Sequence, residues 1–165
     1  MLIILEGADG SGKTTLLKKF LDDGIICKRC LRHEDVDWNK LCYLARDADI
    51  VIDRSFITDL VYRLVQGGNP ESIALKTMIP IIDKSIIVLC ETSNMFEESM
   101  KRGEDNIVDK DTAQKIKDMY DTVVKKMICM YCNPKGVCTY NFRDENAYHN
   151  LKVDIKTLKG GIDIK

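Results

Sequence analysis

Apolar positions in this chain come in short unbroken runs separated by longer amphipathic stretches. The run 2–6, Leu2-Ile3-Ile4-Leu5 closed by Glu6, leads straight into a glycine-rich segment. Asp49-Ile50-Val51-Ile52-Asp53 and Ser85-Ile86-Ile87-Val88-Leu89-Cys90 have the same character. Such runs have the length and β-branched content of strands buried on both faces of a parallel sheet. Further strands are predicted at about 25–31 and 137–142. Helices are predicted over 13–20, after a cap at Asp37 (carrying Trp38, Leu41, Leu44 and Ala45), and over 55–66. Others are predicted from 70 toward 82 with a bend near Pro80, and over 94–102, 109–130 and 145–158. Gly67-Gly68-Asn69-Pro70 breaks the chain between two of these helices, and 103–108 reads as a polar loop. Strands alternating with helices over the whole length predict an α/β fold: a three-layer α/β/α sandwich around a parallel sheet.

Composition narrows the class. A chain of 165 residues with 45% hydrophobic and 31% charged positions forms one folded domain, 1–165. The 25 Lys and Arg balance 26 Asp and Glu, so no global charge draws the chain to nucleic acid or to an anionic membrane. No apolar run approaches the roughly 18 residues of a membrane span, and Glu6 arrives too early for a signal peptide, so a cytoplasmic location is expected. Seven cysteines cannot pair completely. Cys27-x-x-Cys30 and Cys129-x-x-Cys132 have zinc-like spacing, but residues three apart on a strand point to opposite faces, so thiols are expected rather than a metal site. His33 and His149 stand alone and read as surface or polar-network residues.

The segment with the clearest chemistry is Gly7-Ala8-Asp9-Gly10-Ser11-Gly12-Lys13-Thr14, which fits G-x-x-x-x-G-K-[ST] between a predicted strand and a predicted helix. Its glycines let backbone N–H groups turn inward toward phosphate oxygens, and the following helix N-terminus adds its dipole. Gly7, Asp9, Gly10, Ser11, Gly12, Lys13, Thr14 and Thr15 are therefore the expected ATP-binding set. Lys13 is expected on the β- and γ-phosphates, the Thr14 hydroxyl on Mg2+ and Thr15 near the α-phosphate. Asp53-Arg54 ends a buried strand at its carboxyl end, where open α/β sheets place ligands, so Arg54 is a candidate phosphate clamp and Asp53 a candidate to orient it or to contact metal-bound water.

Leu5-Glu6-Gly7-Ala8-Asp9-Gly10-Ser11-Gly12-Lys13-Thr14-Thr15 resembles the opening of thymidylate kinases and their deoxynucleoside kinase relatives, P-loop enzymes. Val51-Ile52-Asp53-Arg54-Ser55, with Thr58 and Tyr62 following, is similar to the Asp-Arg-Tyr and Glu-Arg-Ser motifs of the two groups. Lys101-Arg102-Gly103-Glu104-Asp105 is similar to the lid of bacterial-type thymidylate kinases, which places a lid at about 101–108, and the helix to Tyr120 continues the likeness. One departure stands out: the region before Asp53 holds only a short helix, where thymidylate kinases carry a longer segment that grips thymine. The base-binding residues of that segment therefore do not carry over. Small kinases of viruses that infect bacteria show comparable trimming.

The resemblance implies a kinase transferring the γ-phosphoryl of ATP to a small-molecule deoxynucleoside monophosphate, with dTMP the first expectation. Kinases of this kind are often homodimers. It places Asp9 on the acceptor sugar, and it gives Arg102, with Lys101 in reserve, the charge-neutralising role that falls to the lid when the P-loop has no arginine. Glu34 suits a deoxynucleoside kinase, since a nucleoside hydroxyl needs a carboxylate base and an ionised monophosphate does not. Phe56, Tyr62 and Trp38 are aromatic candidates for stacking a base, and Arg143 of Asn141-Phe142-Arg143 for stacking adenine. A non-catalytic nucleotide-binding or nucleotide-hydrolysing module is the alternative of another class, although the Asn-Lys-x-Asp motif of a GTPase is not in the sequence.

Overall fold

A computed structural model describes residues 1–30, 36–69, 75–91, 95–102, 109–128, 130 and 132–160. Its centre is a five-stranded, wholly parallel sheet in the order β2-β3-β1-β4-β5. The strands are β1 (Leu2–Glu6), β2 (Ile26–Arg29), β3 (Ile50–Asp53), β4 (Ser85–Cys90) and β5 (Gly136–Tyr140). The three apolar runs become the three central strands, and every residue of β1, β3 and β4 is buried. The edge strands β2 and β5 carry the more polar sequences and are partly exposed. That ordering follows from burial alone: a strand covered on both faces has no polar side to turn outward.

The helices are α1 (Lys13–Asp22), α2 (Trp38–Leu44), α3 (Phe56–Val65), α4 (Leu75–Ile82), α5 (Met95–Arg102), α6 (Lys110–Asp121) and α7 (Ala147–Gly160). Alternation along β1 divides them into two layers. Ile3 and Leu5 pack with Leu16, Leu17 and Phe20 of α1 and Leu151 and Ile155 of α7. Leu2 and Ile4 face the other way, toward Ile81 of α4 and Leu41 and Cys42 of α2. On that same side α3 and α6 cover Ile87 and Leu89 through Ile57, Leu60, Val61, Ile116 and Tyr120. The three-layer α/β/α sandwich is thus present. Among the described residues no helix is long and apolar enough to cross a membrane.

Helix starts follow their capping chemistry: the Asp37 carboxylate accepts from Lys40 N at 2.9 Å, and Asp109 accepts from Thr112 N at 2.6 Å. The helix expected over 109–130 is α-helical only to Asp121 and then widens into a π-helical stretch, Thr122–Ile128. Val123 and Val124 are consecutive and both fully buried, and the wider turn brings both toward the core that Tyr120 already enters. The last strand stops at Tyr140 rather than 142, because Asn141 turns the chain by accepting from Arg143 N at 3.1 Å. Pro80 lies inside α4. The start of that helix expected at 70, the loop 103–108 and Glu34 fall outside the described residues. Cys27 packs with the α1 layer and Cys30 with the α2 layer, on opposite faces of the sheet.

Ile52, fully buried in β3, should lose about 2–5 kcal/mol of stability as Ile52→Ala. Leu21, 51% exposed on α1, should change by less than about 1 kcal/mol as Leu21→Ala. Urea unfolding of the two variants checks the assigned layers, and equal losses would contradict them.

Candidate active site

β1 and β3 are paired in parallel with Leu5 opposite Asp53, so both strands end at the same level. The loop leaving β1 and the turn leaving β3 therefore share one space. The P-loop fills the first part of it. Gly7 has φ +140°, and a Cβ there would overlap the Cys90 carbonyl and lie 2.8 Å from Ser11 Oγ. Gly12 has φ +88°, and a Cβ would stand 2.6 Å from Phe142 Cδ1, so the turn after β5 rests directly on the loop. Lys13 is buried and folds back over the loop, donating to the Gly7 and Ala8 carbonyls at 2.6 and 2.7 Å. Burial, with help from the Arg54 charge, lowers the Lys13 ammonium below its ordinary pKa, against the opposing pull of Asp9 and Asp53. Thr14 and Thr15 are exposed in the first turn of α1.

Arg54 is the single non-glycine residue with positive φ among those described, at 73°. Its N–H still donates to Leu5 O at 3.0 Å, extending the ladder by one bond before the chain turns. The left-handed conformation, which costs roughly 1–2 kcal/mol for a residue with a Cβ, swings the guanidinium onto the P-loop. There it pairs with the Asp9 carboxylate, whose second oxygen accepts from Tyr62 OH at 3.1 Å. Burial opposes the Arg54 charge, but Asp9 and Asp53 outweigh it and raise its pKa. Burial and the neighbouring Asp9 likewise hold Tyr62 well above its ordinary value, so the phenol is a donor.

Asp53 is 1% exposed, and neither carboxylate oxygen has a hydrogen-bond partner among the described residues. Its ion pair with Arg29 Nε is long, at 3.9 Å. A buried carboxylate without a hydrogen bond among the described residues, close enough to Lys13 to influence its charge, together with Thr14 exposed next to Lys13 in the chain, fits the needs of Mg2+, which keeps most of its waters and takes one or two protein oxygens.

Glu6, for which sequence reasoning has no role, anchors the centre of the site. Fully buried at the end of β1, its Oε1 accepts from Ser55 N at 2.8 Å and Ser55 Oγ at 2.5 Å. Its Oε2 accepts from Thr58 Oγ1 at 2.7 Å, and Tyr120 OH of α6 donates to that same threonine oxygen at 3.1 Å. Burial pushes the Glu6 carboxyl up to about 7, although the Ser55 and Thr58 hydrogen bonds and the Lys13 charge favour its ionised form. The available signal was a carboxylate closing an apolar strand immediately before the P-loop, combined with Ser55 and Thr58 on the first turn of the helix after Arg54.

Other expected residues lie further out. Phe56 is buried and meets Trp38 edge to face, with centroids 6.1 Å apart. Arg143 is exposed and sits over the Phe142 ring at 5.7 Å, next to the contact that Phe142 makes with Gly12. Arg102 ends α5, but its side chain lies outside the described residues, while Lys101 is exposed. A cleft of about 710 Å³ opens at the opposite, amino-terminal end of the strands, among Leu2, Tyr43, Arg46, Lys84 and Lys135. It contains none of the P-loop residues, so size does not mark the site here; the convergence of buried charge does.

No protein-family model matches the chain, and no curated protein sequence matches it. Solved structures do match. Deoxyadenosine kinase from M. mycoides with bound dATP superposes with a TM-score of 0.67 at 12% identity, covering 95% of this chain and 100% of that one. The YorR protein from Bacillus subtilis, in complex with phosphorylated GDP, gives 0.65 at 19% identity over 97% and 98% of the two chains. The M. mycoides enzyme with bound dCTP gives 0.63 at 14% identity, covering 94% and 98%. At these identities the likeness establishes a shared fold across nearly the whole chain.

Backbone strain at Arg54 can be separated from its charge. Arg54→Gly and Arg54→Ala both remove the pair with Asp9, but only glycine relieves the positive φ. Arg54→Gly should be the more stable of the two by about 1 kcal/mol in denaturant unfolding. Equal stabilities would show that the turn relaxes without cost.

Proposed function

We propose that this chain is a small P-loop kinase that moves the γ-phosphoryl group of ATP to a deoxynucleoside monophosphate, with dTMP the first acceptor to test. The observation that carries this reading is the Arg54 guanidinium, turned onto the P-loop by a left-handed backbone and held by Asp9 and, through that carboxylate, Tyr62. A monophosphate acceptor is already ionised and needs cations to approach ATP, and a partly buried arginine at a strand end beside the P-loop supplies one. Solved structures of the same fold support the nucleotide class, since those matched hold dATP, dCTP or phosphorylated GDP.

In this reading Lys13 exchanges the Gly7 and Ala8 carbonyls for β- and γ-phosphate oxygens, while P-loop N–H groups hold the rest of the triphosphate. Arg54 holds the acceptor phosphate in line, and Asp9 meets the acceptor sugar. Thr14 and, through water, Asp53 would hold Mg2+, which when bound would neutralise charge on the phosphates. Arg102 on the lid adds a further cation, and Arg143 beside Phe142 lies on the adenine side. Phe56 and Tyr62 border the acceptor. Catalysis is positioning and charge neutralisation, with exclusion of water deciding transfer over hydrolysis.

A second reading, phosphorylation of a free deoxynucleoside with Glu34 as base, is favoured by one observation: three of the matching structures are of a deoxyadenosine kinase and match the chain almost end to end. ATP consumption with magnesium and a panel of nucleosides and nucleoside monophosphates separates the two. Turnover that depends on dTMP or another monophosphate supports the first reading, and turnover only with free nucleosides supports the second. ATP hydrolysis indifferent to every acceptor contradicts both.

Lys13→Ala should lower transfer by about 10²-fold or more while the circular dichroism spectrum stays unchanged, because the ammonium contacts loop carbonyls rather than the core. A near-normal rate would remove the P-loop from the mechanism.

A further inference from the structure

Glu6 presents a physical puzzle. A fully buried position at the end of a central strand is filled most cheaply by an apolar side chain, and an ionised carboxylate there carries a desolvation cost. The hydrogen bonds around it show what the charge does. Ser55 N, Ser55 Oγ and Thr58 Oγ1 all donate to it, at 2.8, 2.5 and 2.7 Å. Ser55 Oγ at the same time accepts from Ile57 N at 3.1 Å and so caps α3. Thr58, whose hydroxyl donates to Glu6, uses the same oxygen to accept from Tyr120 OH at 3.1 Å. Every donor is directed inward, and the arrangement is matched only when both Glu6 oxygens are acceptors.

We infer that Glu6 is a positioning residue for phosphoryl transfer: its carboxylate fixes the Arg54-Ser55 turn against the P-loop and, through Thr58 and Tyr120, ties that turn to α6, the helix that follows the lid segment. The inference rests on the kinase reading for its catalytic consequence but not for its geometry. Ser55 is the residue immediately after Arg54, so loosening Ser55 releases the left-handed turn that aims the guanidinium. Tyr120 is fully buried on α6, and its hydroxyl is the one link described between that helix and Glu6's own donors.

The groups that face Glu6 are Ser55 at the cap of α3 and Thr58 within it, Lys13 of α1, Cys90 of β4 and Tyr120 of α6. Lys13 is the cation among them that favours the ionised form, while burial opposes it and brings the carboxyl to about 7. The working form is thus lost as pH falls through about 7.

Glu6→Gln tests the inference, because the amide keeps the shape but turns an N–H₂ toward the Thr58 donor or the Ser55 donors. With the full chain, kcat should fall by about tenfold or more, as expected for a mismatched buried polar group, while KM for ATP changes by less than about threefold. The ratio of wild-type to Glu6→Gln rates, which cancels the ionisation of ATP and acceptor, should climb with pH through about 7 and then level. A second arm needs no turnover: in ¹⁵N NMR the Ser55 amide and Arg54 Nε resonances should titrate together near pH 7 in the wild type and be displaced and flat in the variant. If Glu6→Gln does not fold, Tyr120→Phe keeps the ring and cuts only the α6 link, and kcat should fall several-fold with ATP affinity unchanged. Wild-type kcat in Tyr120→Phe, or Arg54 and Ser55 resonances unaltered by Glu6→Gln, would overturn the inference. Absence of transfer to any acceptor by the wild type would instead contradict the kinase reading, and the NMR arm would still decide the role of Glu6.

Discussion

Leu5 lies opposite Asp53 because β1 and β3 are parallel, adjacent and buried on both faces, and a slip of one residue would drive Glu6 or Asp53 into an apolar layer. That register brings two chain exits to one level. The P-loop leaves β1 and the Arg54 turn leaves β3 within hydrogen-bonding distance, and the contacts between them are specific: Arg54 N to Leu5 O, Ser55 to Glu6, and the Arg54 guanidinium to Asp9. The site is therefore built by the sheet. Helices α3 and α6 are placed by their packing on Ile87 and Leu89, and they close the arrangement from the side with Thr58, Tyr62 and Tyr120.

Two cations and three carboxylates converge there, all largely removed from solvent. The opposing shifts of Lys13 and Glu6 have one leading cause, since burial penalises whichever form is charged: it lowers Lys13 and raises Glu6. For Glu6 the consequence for folding has a definite sign. A carboxyl whose pKa rises from 4.5 to about 7 on folding contributes stability that is fully present below 4.5 and is lost as pH rises through about 7. The same window ionises the group that receives the Ser55 and Thr58 hydrogen bonds. Stability and positioning thus change in opposite directions over one pH range, a conflict typical of groups retained for what they do rather than for how they pack.

Much of this was legible in the sequence, for identifiable reasons. The central strands announced themselves because double-sided burial leaves no polar alternation to confuse with a helix, and Asp37 marked its helix through its own side chain. The P-loop was legible because its motif is local: the glycines, Lys13 and Thr14 fall within eight consecutive residues. What escaped depends on register or on layers. The Glu6 network joins residues about 50 and 60 positions apart, so nothing near Glu6 in the sequence marks it as an acceptor for Ser55, Thr58 and, one bond further, Tyr120. The approach of Phe142 to Gly12 needs β5 at its place beside β4, and the π-helical stretch answers to adjacent valines that share one core. Asp9 was placed on the acceptor by resemblance; its pairing with Arg54 and Tyr62 emerges only with the left-handed turn.

Following the terminal phosphate itself addresses the proposed chemistry at its root. A single-turnover reaction with γ-labelled ATP, magnesium, excess enzyme and dTMP or a deoxynucleoside should move the label onto the acceptor faster than into inorganic phosphate, since the proposed role of Arg54 and the P-loop is to hold the acceptor rather than water in line. Label found only in inorganic phosphate, at a rate unaltered by every acceptor, would contradict a kinase and leave a nucleotide hydrolase on the same fold.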